Sequence, residues 1–286
     1  MQTPTTKKKC TLCFSGGASH GADEWGAWLA LSSRVDPIAV SGASIGGVIA
    51  AAIACGLDNL KVTNQVMRVF SENLLFGGKQ PFSFSPRILW SRGGGVHDWT
   101  HCKAVLKEIF GELRMRDTKI PLFIAVTDSY TRRPLYVSSK DHPNALIYEV
   151  LTASSAVHPL IDAQEIPSLG LGNRLFVDGG WSDNLPYRPL CDFDAPSIHV
   201  YLAGSDVDND NKPDIIPATG LFGLLAADLE AALFVDPDFP DSDEDILIPI
   251  FIKGSGFDFA LSKEEIRTRL NNGATAARKV IVRGVL

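Results

Sequence analysis

The stretch Gly42-Ala43-Ser44-Ile45-Gly46-Gly47 decides the fold, because it joins a strand-like apolar run, Ile38 to Val40, to an alanine-rich helical run, Val48 to Ala54. A serine on a tight strand-to-helix turn tolerates only very small neighbours. The helix behind it directs free N–H groups and a positive dipole end at any anion that forms there. The stretch therefore predicts a nucleophilic Ser44 supported by Gly42 and Gly46, with an ordinary serine-containing turn as the alternative.

A second glycine-rich loop, Ser15 to Gly21, follows the apolar run Cys10 to Phe14 and opens a helical pattern. Its backbone amides can face an anion, which fits an oxyanion hole for acyl transfer, a phosphate cradle for a dinucleotide, or a plain turn. A dinucleotide cradle needs glycine where Ala18 stands and an acidic residue at the end of the second strand. Asp36 instead lies at the start of that strand, so the nucleotide interpretation is disfavoured.

An oxyanion hole needs only N–H donors close to the nucleophile. The order strand, helix, strand predicts two adjacent parallel strands, which bring both glycine-rich loops to one edge of the sheet. Gly16, Gly17 and Ala18 are therefore the expected donors to a substrate bound at Ser44.

The third segment is Leu175-Phe176-Val177-Asp178-Gly179-Gly180, in which an apolar strand ends in a carboxylate followed by two residues without side chains. An aspartate with an ordinary pKa of about 3.9 is a poor base in water, so a catalytic one must be desolvated and must touch the hydroxyl directly. The glycines permit that approach to Ser44. Asp-Gly-Gly is also a common turn, which is the structural alternative.

Taken together and in this order, the three segments resemble those of the patatin-like phospholipases, which have a glycine-rich oxyanion loop, a Gly-x-Ser-x-Gly nucleophile and an Asp-Gly-Gly/Ala base. The resemblance extends from Thr11 to Ala277. Segments similar to the family's connecting and closing parts are Gly94 to Asp98, Ile120 to Asp128, Ala153 to Ala156, and a closing helix over Phe257 to Ala277.

The resemblance implies an α/β fold in three layers, α/β/α, around a central, mostly parallel sheet. It also implies a phospholipase A or lysophospholipase type of serine acyl hydrolase, in which Ser44 and Asp178 form a catalytic dyad and pass through an acyl-enzyme. No metal or organic cofactor is implied. The glycines expected to support the motifs are Gly21, Gly42, Gly46, Gly179 and Gly180.

Two positions depart from the family pattern, which usually has glycine where Ala18 stands and arginine or lysine where His20 stands. Ala18 still supplies an N–H. His20 lacks a permanent positive charge beside the loop, so the rate, the pH dependence or the preference for anionic substrates is expected to differ from that of relatives.

Two other functions stay open. An α/β-hydrolase with a Ser-Asp-His triad would use Ser44, Asp178 and His199, which occur in the required chain order. However, His199 lies inside Ser197 to Leu202, a run typical of a buried strand, whereas a triad histidine belongs on a loop. The other alternative is a non-catalytic binding or storage protein, since members of the family can serve as storage proteins.

The composition favours a single α/β domain over residues 1–286, with its core at about 11–277. Apolar strand-like runs alternate with helical patterns such as Thr100 to Phe110. These runs are Cys10–Phe14, Ile38–Val40, Leu122–Val126, Leu135–Val137, Leu175–Val177, Ile198–Leu202 and Ile250–Ile252.

Charge and cysteine content bound the partners and the location. A net charge of −6 gives no electrostatic reason to expect nucleic acid as a partner. Five scattered cysteines, an odd number, favour reduced thiols and the cytoplasm.

The longest apolar stretch, Gly46 to Cys55, is too short to cross a bilayer, so contact with lipid substrate is expected to be peripheral. Some bacterial and viral members act only after a protein activator binds, and this alternative, like delivery into a host cell, stays open.

Three segments carry further predictions. Leu74 to Trp99 is rich in glycine and aromatic residues, which fits either a mobile lid that meets lipid or a long loop packed on the core. Thr219 to Phe234 is a helix-like run, apolar nearly all round, which is expected to be buried, with an interfacial surface as the alternative. The acidic run Asp206 to Asp214 imitates a calcium loop but lacks the turn glycine and the bidentate glutamate, so it is not expected to bind calcium. Asp236 to Asp245 is expected to be a second solvated loop, and both acidic loops are expected to limit binding to anionic membranes or to receive a basic partner.

Overall fold

The computed structural model describes residues 7–78, 91–203, 244–252 and 255–283. Parts of the predictions above fall outside these ranges. They are the aromatic residues 82, 84 and 90 of the lid or packed loop, the helix-like run 219–234, the acidic run 206–214, and all but the last two residues of 236–245.

Within the described ranges, eight strands form one mixed sheet in the order β5-β6-β3-β2-β1-β7-β8, with β4 paired to β3. The five strands β3, β2, β1, β7 and β8 are parallel, whereas β4 and β6 run antiparallel to β3, and β5 antiparallel to β6. The strands are β1 (Lys8–Phe14), β2 (Val35–Ala43), β3 (Leu122–Asp128), β4 (Pro134–Ser138), β5 (Gln164–Glu165), β6 (Leu175–Asp178), β7 (Ser197–Ala203) and β8 (Ile246–Phe251).

Helices flank this sheet, and the predicted α/β/α fold with a mostly parallel sheet is confirmed. They are α1 (Gly21–Leu31), α2 (Ser44–Cys55), α3 (Asn59–Ser71), α4 (Thr100–Phe110), α5 (Ile147–Ser154) and α6 (Lys263–Val282).

The central strands are buried on both faces, which explains why they appear in the sequence as continuous apolar runs. In β1, Leu12 and Phe14 belong to the main hydrophobic core. Cys13, between them, faces the opposite side and packs with Leu185 and Leu190 in a second cluster. All seven predicted strand-like runs lie in or overlap strands of the sheet.

Two predicted boundaries at the end of the chain are wrong. β8 begins at Ile246, four residues before the predicted start at Ile250. The closing helix, predicted from Phe257, begins only at Lys263, because the Ser262 side chain accepts from the Glu265 N–H while the Glu265 carboxylate accepts from the Ser262 N–H. This reciprocal capping box fixes the first turn of α6.

All five cysteines are free thiols, as predicted, and only Cys191 is exposed. None of the helices in the part of the chain described here is both long and apolar enough to cross a membrane.

Candidate active site

The turn at Ser44 is a strained elbow between β2 and α2. β2 ends at Ala43 and α2 begins with Ser44, whose φ of +52° is a left-handed value that non-glycine residues rarely adopt. A Cβ on Gly42 would lie 2.3 Å from the Gly46 carbonyl oxygen, and one on Gly46 would lie 2.2 Å from the Ser15 carbonyl oxygen. Both glycines are therefore required by close packing of backbone around the elbow.

The structure brings Ser44 and Asp178 into direct contact. Ser44 Oγ donates a hydrogen bond of 2.7 Å to Asp178 Oδ2, and both side chains are buried. Asp178 closes β6, and its second oxygen, Oδ1, accepts from the Gly180 N–H at 2.8 Å. The carboxylate is thus fixed by the backbone on one side and faces the hydroxyl with the other, the arrangement that a direct general base requires.

Burial changes the chemistry of this carboxyl group. Desolvation raises the pKa of Asp178 to about 7, against the opposing effect of the hydrogen bonds from Ser44 and Gly180. A carboxylate with a pKa close to neutral is a far better proton acceptor than an ordinary aspartate, and it is still ionised for a large part of the time at pH 7.

The glycine-rich loop lines a small cavity beside Ser44. Gly17, Ala18, Ser44, Val157 and Asp178 are among the residues that line this cavity, whose volume of about 10 Å³ is close to that of one water-sized probe. Over the described residues, no protein group accepts a hydrogen bond from the N–H of Gly17 or of Ala18. These amides are free to bind an oxyanion formed from a substrate carbonyl.

The backbone N–H of Gly16 forms hydrogen bonds to Asn184, whereas the sequence predicts it as a donor to the oxyanion. This N–H donates to the Asn184 carbonyl oxygen at 3.0 Å and faces Asn184 Oδ1 at 3.1 Å. The expectation that Gly16 supplies an oxyanion donor is therefore not supported, because its only N–H already has acceptors. Its close packing explains the glycine, since a Cβ there would lie 2.4 Å from Asn184 Oδ1.

Ala18 adopts a φ of +49°, which explains why glycine is the usual residue at this point of the family pattern. The strained residue keeps its backbone N–H, the only group of Ala18 that the chemistry would use. Alanine in place of glycine at this position therefore introduces backbone strain, but it does not remove a hydrogen-bond donor.

Two polar side chains that the sequence did not single out for a role hold the site together. Ser154 Oγ accepts from the Ser44 N–H at 2.8 Å and donates to the Ala125 carbonyl oxygen at 2.7 Å, so it ties the elbow to β3. Asn184 holds the glycine-rich loop at Gly16. Ser154 belongs to a segment noted only as a family-like connection, and no local pattern marked Asn184.

The loop is also supported from behind by α1 and α6. Ser15 Oγ donates to Glu24 Oε1 at 2.9 Å, and burial raises the pKa of Glu24 well above its ordinary value. His20 Nδ1 lies 3.1 Å from Asp23 Oδ2 and 3.1 Å from Arg269 Nη1. The family pattern has a permanent positive charge where His20 stands. In this chain the guanidinium of Arg269, on α6, brings a positive charge beside His20.

The remaining motif glycines have packing or bonding reasons. A Cβ on Gly21 would lie 2.0 Å from Ile45 Cγ1, and one on Gly179 would lie 2.2 Å from the Ala125 carbonyl oxygen. Gly180 supplies the N–H that fixes Asp178.

His199 is occupied elsewhere. It lies on β7, buried, with Nε2 3.4 Å from Asp245 Oδ2 and its ring 5.7 Å from that of Tyr187. In the described structure Asp178 contacts Ser44 without an intervening imidazole, which supports a dyad over a triad.

An apolar cavity leads away from Ser44 along one face of α2. Its volume is about 110 Å³, and its wall includes Ser44, Val48 and Ala52, which follow each other at intervals of four residues. The opposite walls are made largely of aliphatic and aromatic side chains from α3, α4 and the loops after α5 and before α6, among them Val66, Phe76, Trp99, Leu106, Leu160, Phe257 and Phe259. An apolar lining of this kind suits an apolar ligand rather than a charged one.

Comparison with known proteins places this site in a family. Two solved structures that resemble the chain are VipD from Legionella pneumophila, with a TM-score of 0.56 at 15% identity over 98% of this chain and 67% of VipD, and the type III effector protein ExoU. For ExoU the TM-score is 0.49 at 14% identity over 99% of this chain and 54% of that chain. The chain thus spans two thirds of VipD and about half of ExoU.

Among curated protein sequences, none matches this chain. A family model described as patatin-like phospholipase does match, over residues 12–190, and this range includes the elbow, the glycine-rich loop and the Asp-Gly-Gly turn. Since the match covers more than half of the sequence, the chain belongs to the patatin-like phospholipase family.

Proposed function

We propose that this chain is a serine acyl hydrolase of the phospholipase A or lysophospholipase type, which cleaves carboxylic esters of lipids through a Ser44–Asp178 dyad. The observation that carries the proposal is the 2.7 Å hydrogen bond from Ser44 Oγ to Asp178 Oδ2 at one end of an apolar cavity. Membership of the family supports lipid-ester hydrolysis in general.

In the first half of the reaction, Ser44 Oγ attacks the ester carbonyl carbon while its proton passes to Asp178 Oδ2. The carbonyl oxygen becomes an oxyanion, and the Gly17 and Ala18 amides stabilise it. When the tetrahedral intermediate collapses, the C–O bond to the alcohol breaks, and Asp178 returns the proton to that leaving oxygen. The acyl group is left on Ser44.

In the second half, a water molecule takes the place of the alcohol. Asp178 accepts a proton from the water as its oxygen attacks the acyl carbon, and the proton is returned to Ser44 Oγ as the fatty acid leaves. A single carboxylate serves both halves because a pKa of about 7 lets it gain and lose a proton near neutral pH.

The substrate is expected to place one acyl chain in the apolar cavity, with its ester at Ser44 and its head group outside. This requires only peripheral contact with a membrane. A cytoplasmic location remains a prediction from the cysteine content. Delivery into a host cell and a protein activator remain predictions from the family resemblance.

Labelling with a fluorophosphonate ester tests the proposal. We expect a covalent adduct at Ser44 in the intact chain, none in Ser44→Ala, and a loss of lipid ester hydrolysis of about 10²–10⁴ in Asp178→Asn. No adduct and no hydrolysis with any lipid ester would favour a binding or storage protein. If His199→Ala abolishes hydrolysis while Asp178→Asn spares it, the dyad assignment is wrong.

A further inference from the structure

We propose that the turn between β3 and β4, residues 129–133, docks the protein on an anionic lipid surface. We call this segment the docking turn. The inference rests on the proposed function, because an enzyme that takes its substrate from a bilayer needs a surface that holds the active-site edge against the lipid.

The docking turn lies on the edge of the sheet that carries the active site. β2 and β3 are parallel and pair Ala43 with Ala125, so the strand ends that lead to Ser44 and to the docking turn point the same way. β3 continues three residues past Ala125 to Asp128, which places the turn about 10 Å beyond the level of the elbow. Along the strand direction, the docking turn therefore lies farther out than Ser44.

The side chains of the docking turn suit an anionic bilayer. Tyr130 is 87% exposed, the highest value among the large hydrophobic side chains that the structure describes. Arg132 and Arg133 are also exposed, and within the described residues neither forms an ion pair with a carboxylate. In a chain of net charge −6, two adjacent unpaired arginines beside an exposed tyrosine are a local reversal of the overall charge.

A tyrosine ring sits favourably at the boundary between head groups and acyl chains, and arginine is attracted to anionic head groups. This charge complementarity favours an anionic lipid surface over an acidic protein partner. A protein partner would need a pocket that fits the tyrosine ring, whereas a bilayer accepts the ring in its interfacial layer.

The docking turn is held rigidly, so little conformational entropy is lost when it binds. Asp128 Oδ1 accepts from the Tyr130 N–H at 2.9 Å, and the Arg132 N–H donates to the Asp128 carbonyl oxygen at 2.7 Å. Arg174 forms an ion pair of 2.7 Å with Asp128 Oδ2. These bonds fix the backbone on both sides of Tyr130 and leave its ring projecting.

The neighbouring turn before β6 extends the same surface. Ser129 N–H and Oγ both donate to the Leu175 carbonyl oxygen, which ties the two turns together. Leu171, in that neighbouring turn, is 43% exposed and adds a second apolar contact at this edge.

Vesicle sedimentation tests the docking turn, with the full chain in a Ser44→Ala background so that the lipid is not hydrolysed. The variants are Arg132→Ala/Arg133→Ala and Tyr130→Ala, and the vesicles are phosphatidylcholine with or without phosphatidylserine. The matched control, Arg34→Ala/Lys140→Ala, removes two exposed cations that precede β2 and follow β4, at the opposite edge of the sheet.

We expect the arginine pair variant to bind phosphatidylserine vesicles about 10- to 30-fold more weakly, since each cation near an anionic surface contributes roughly one kcal/mol. The control is expected to change by less than about 3-fold, because its charges lie beyond a Debye length from the surface. Tyr130→Ala should weaken binding to both kinds of vesicle, whereas Leu60→Ala, an exposed leucine on α3, should not.

Equal loss in the control pair, or unchanged vesicle binding by the docking-turn variants, would overturn the inference. So would displacement of the protein from vesicles by soluble glycerophosphoserine, which would indicate a head-group pocket. Hydrolysis of a short soluble ester, measured with Ser44 intact, separates the two proposals. If all variants hydrolyse it, the proposed function stands whatever the vesicles show.

Discussion

The proposed role of Asp178 as general base predicts an activity that depends on pH near neutrality. The pKa of Asp178 is raised to about 7 by burial, and only the ionised form can accept the proton of Ser44. We therefore expect kcat/KM for a soluble ester to rise about tenfold per pH unit below pH 7 and to level off above it. Steady-state kinetics between about pH 5 and pH 9 at constant ionic strength measure this profile. A profile that falls as pH rises through 7 would contradict the assignment of Asp178 as the base.

The residues proposed to perform the chemistry could be predicted from the sequence because each lies in a short local pattern. Glycines flank Ser44 and Asp178, and each of them is explained by crowding or by an N–H contact. Ser154 and Asn184 could not be predicted in the same way. Their hydrogen bonds to the elbow and to the glycine-rich loop join residues 110 and 168 positions apart, and such bonds leave no spacing in the sequence.

Gly16 shows the limit of a motif. A glycine-rich loop indicates that several amides can face an anion, but which amides are free depends on distant side chains. Asn184 takes the Gly16 N–H, and the donors that remain are those of Gly17 and Ala18.

At the level of secondary-structure elements, α6 supports the glycine-rich loop through one side chain. Arg269 Nη1 donates to Ser19 Oγ at 2.8 Å and lies 3.1 Å from His20 Nδ1, directly after the donor residue Ala18. We expect Arg269→Gln to lower kcat for a soluble ester about 10- to 100-fold with KM changed less than about 3-fold, because small displacements of a donor weaken transition-state binding far more than substrate binding.

Arg267 provides the matched control for this prediction, since it lies on the same helix but is exposed. Arg267→Gln should keep kcat within about 3-fold of the parent. Thermal unfolding of both variants identifies any general loss of stability. If the two variants have equal kcat, Arg269 does not position the loop.

The elements themselves were predictable where burial on both faces gives continuous apolar runs, as in the central strands. The start of the closing helix was not. The resemblance to the family's closing segment suggested a start at Phe257, but Phe257 and Phe259 line the cavity from a loop, and the capping box at Ser262 sets the first turn. Capping hydrogen bonds, rather than hydrophobicity, decided this boundary.

At the scale of the whole molecule, the apolar cavity beside Ser44 could not be predicted, because its walls come from several separate parts of the chain. No single segment shows a cavity. Val48 and Ala52 appear in the sequence as ordinary core positions of an alanine-rich helix, and Phe76 and Trp99 as aromatic residues of a long loop. Only the folded structure, in which α2, α3 and α4 contribute side chains to one cavity, places these residues around a space that includes Ser44 in its wall.

The position of Ala52 in that wall predicts control of acyl-chain length. Ala52 lies two helical turns, about 12 Å, from Ser44 on the same face of α2, so a larger side chain there would fill the far part of the cavity while leaving the dyad untouched. We expect Ala52→Phe to lower kcat/KM for long-chain esters at least about tenfold relative to short-chain esters, since burying a long chain would require displacing the ring. Hydrolysis of a series of esters of increasing acyl length measures the ratio, and the short-chain members serve as the internal control for folding. An equal effect on all chain lengths would mean that the acyl chain does not occupy this cavity.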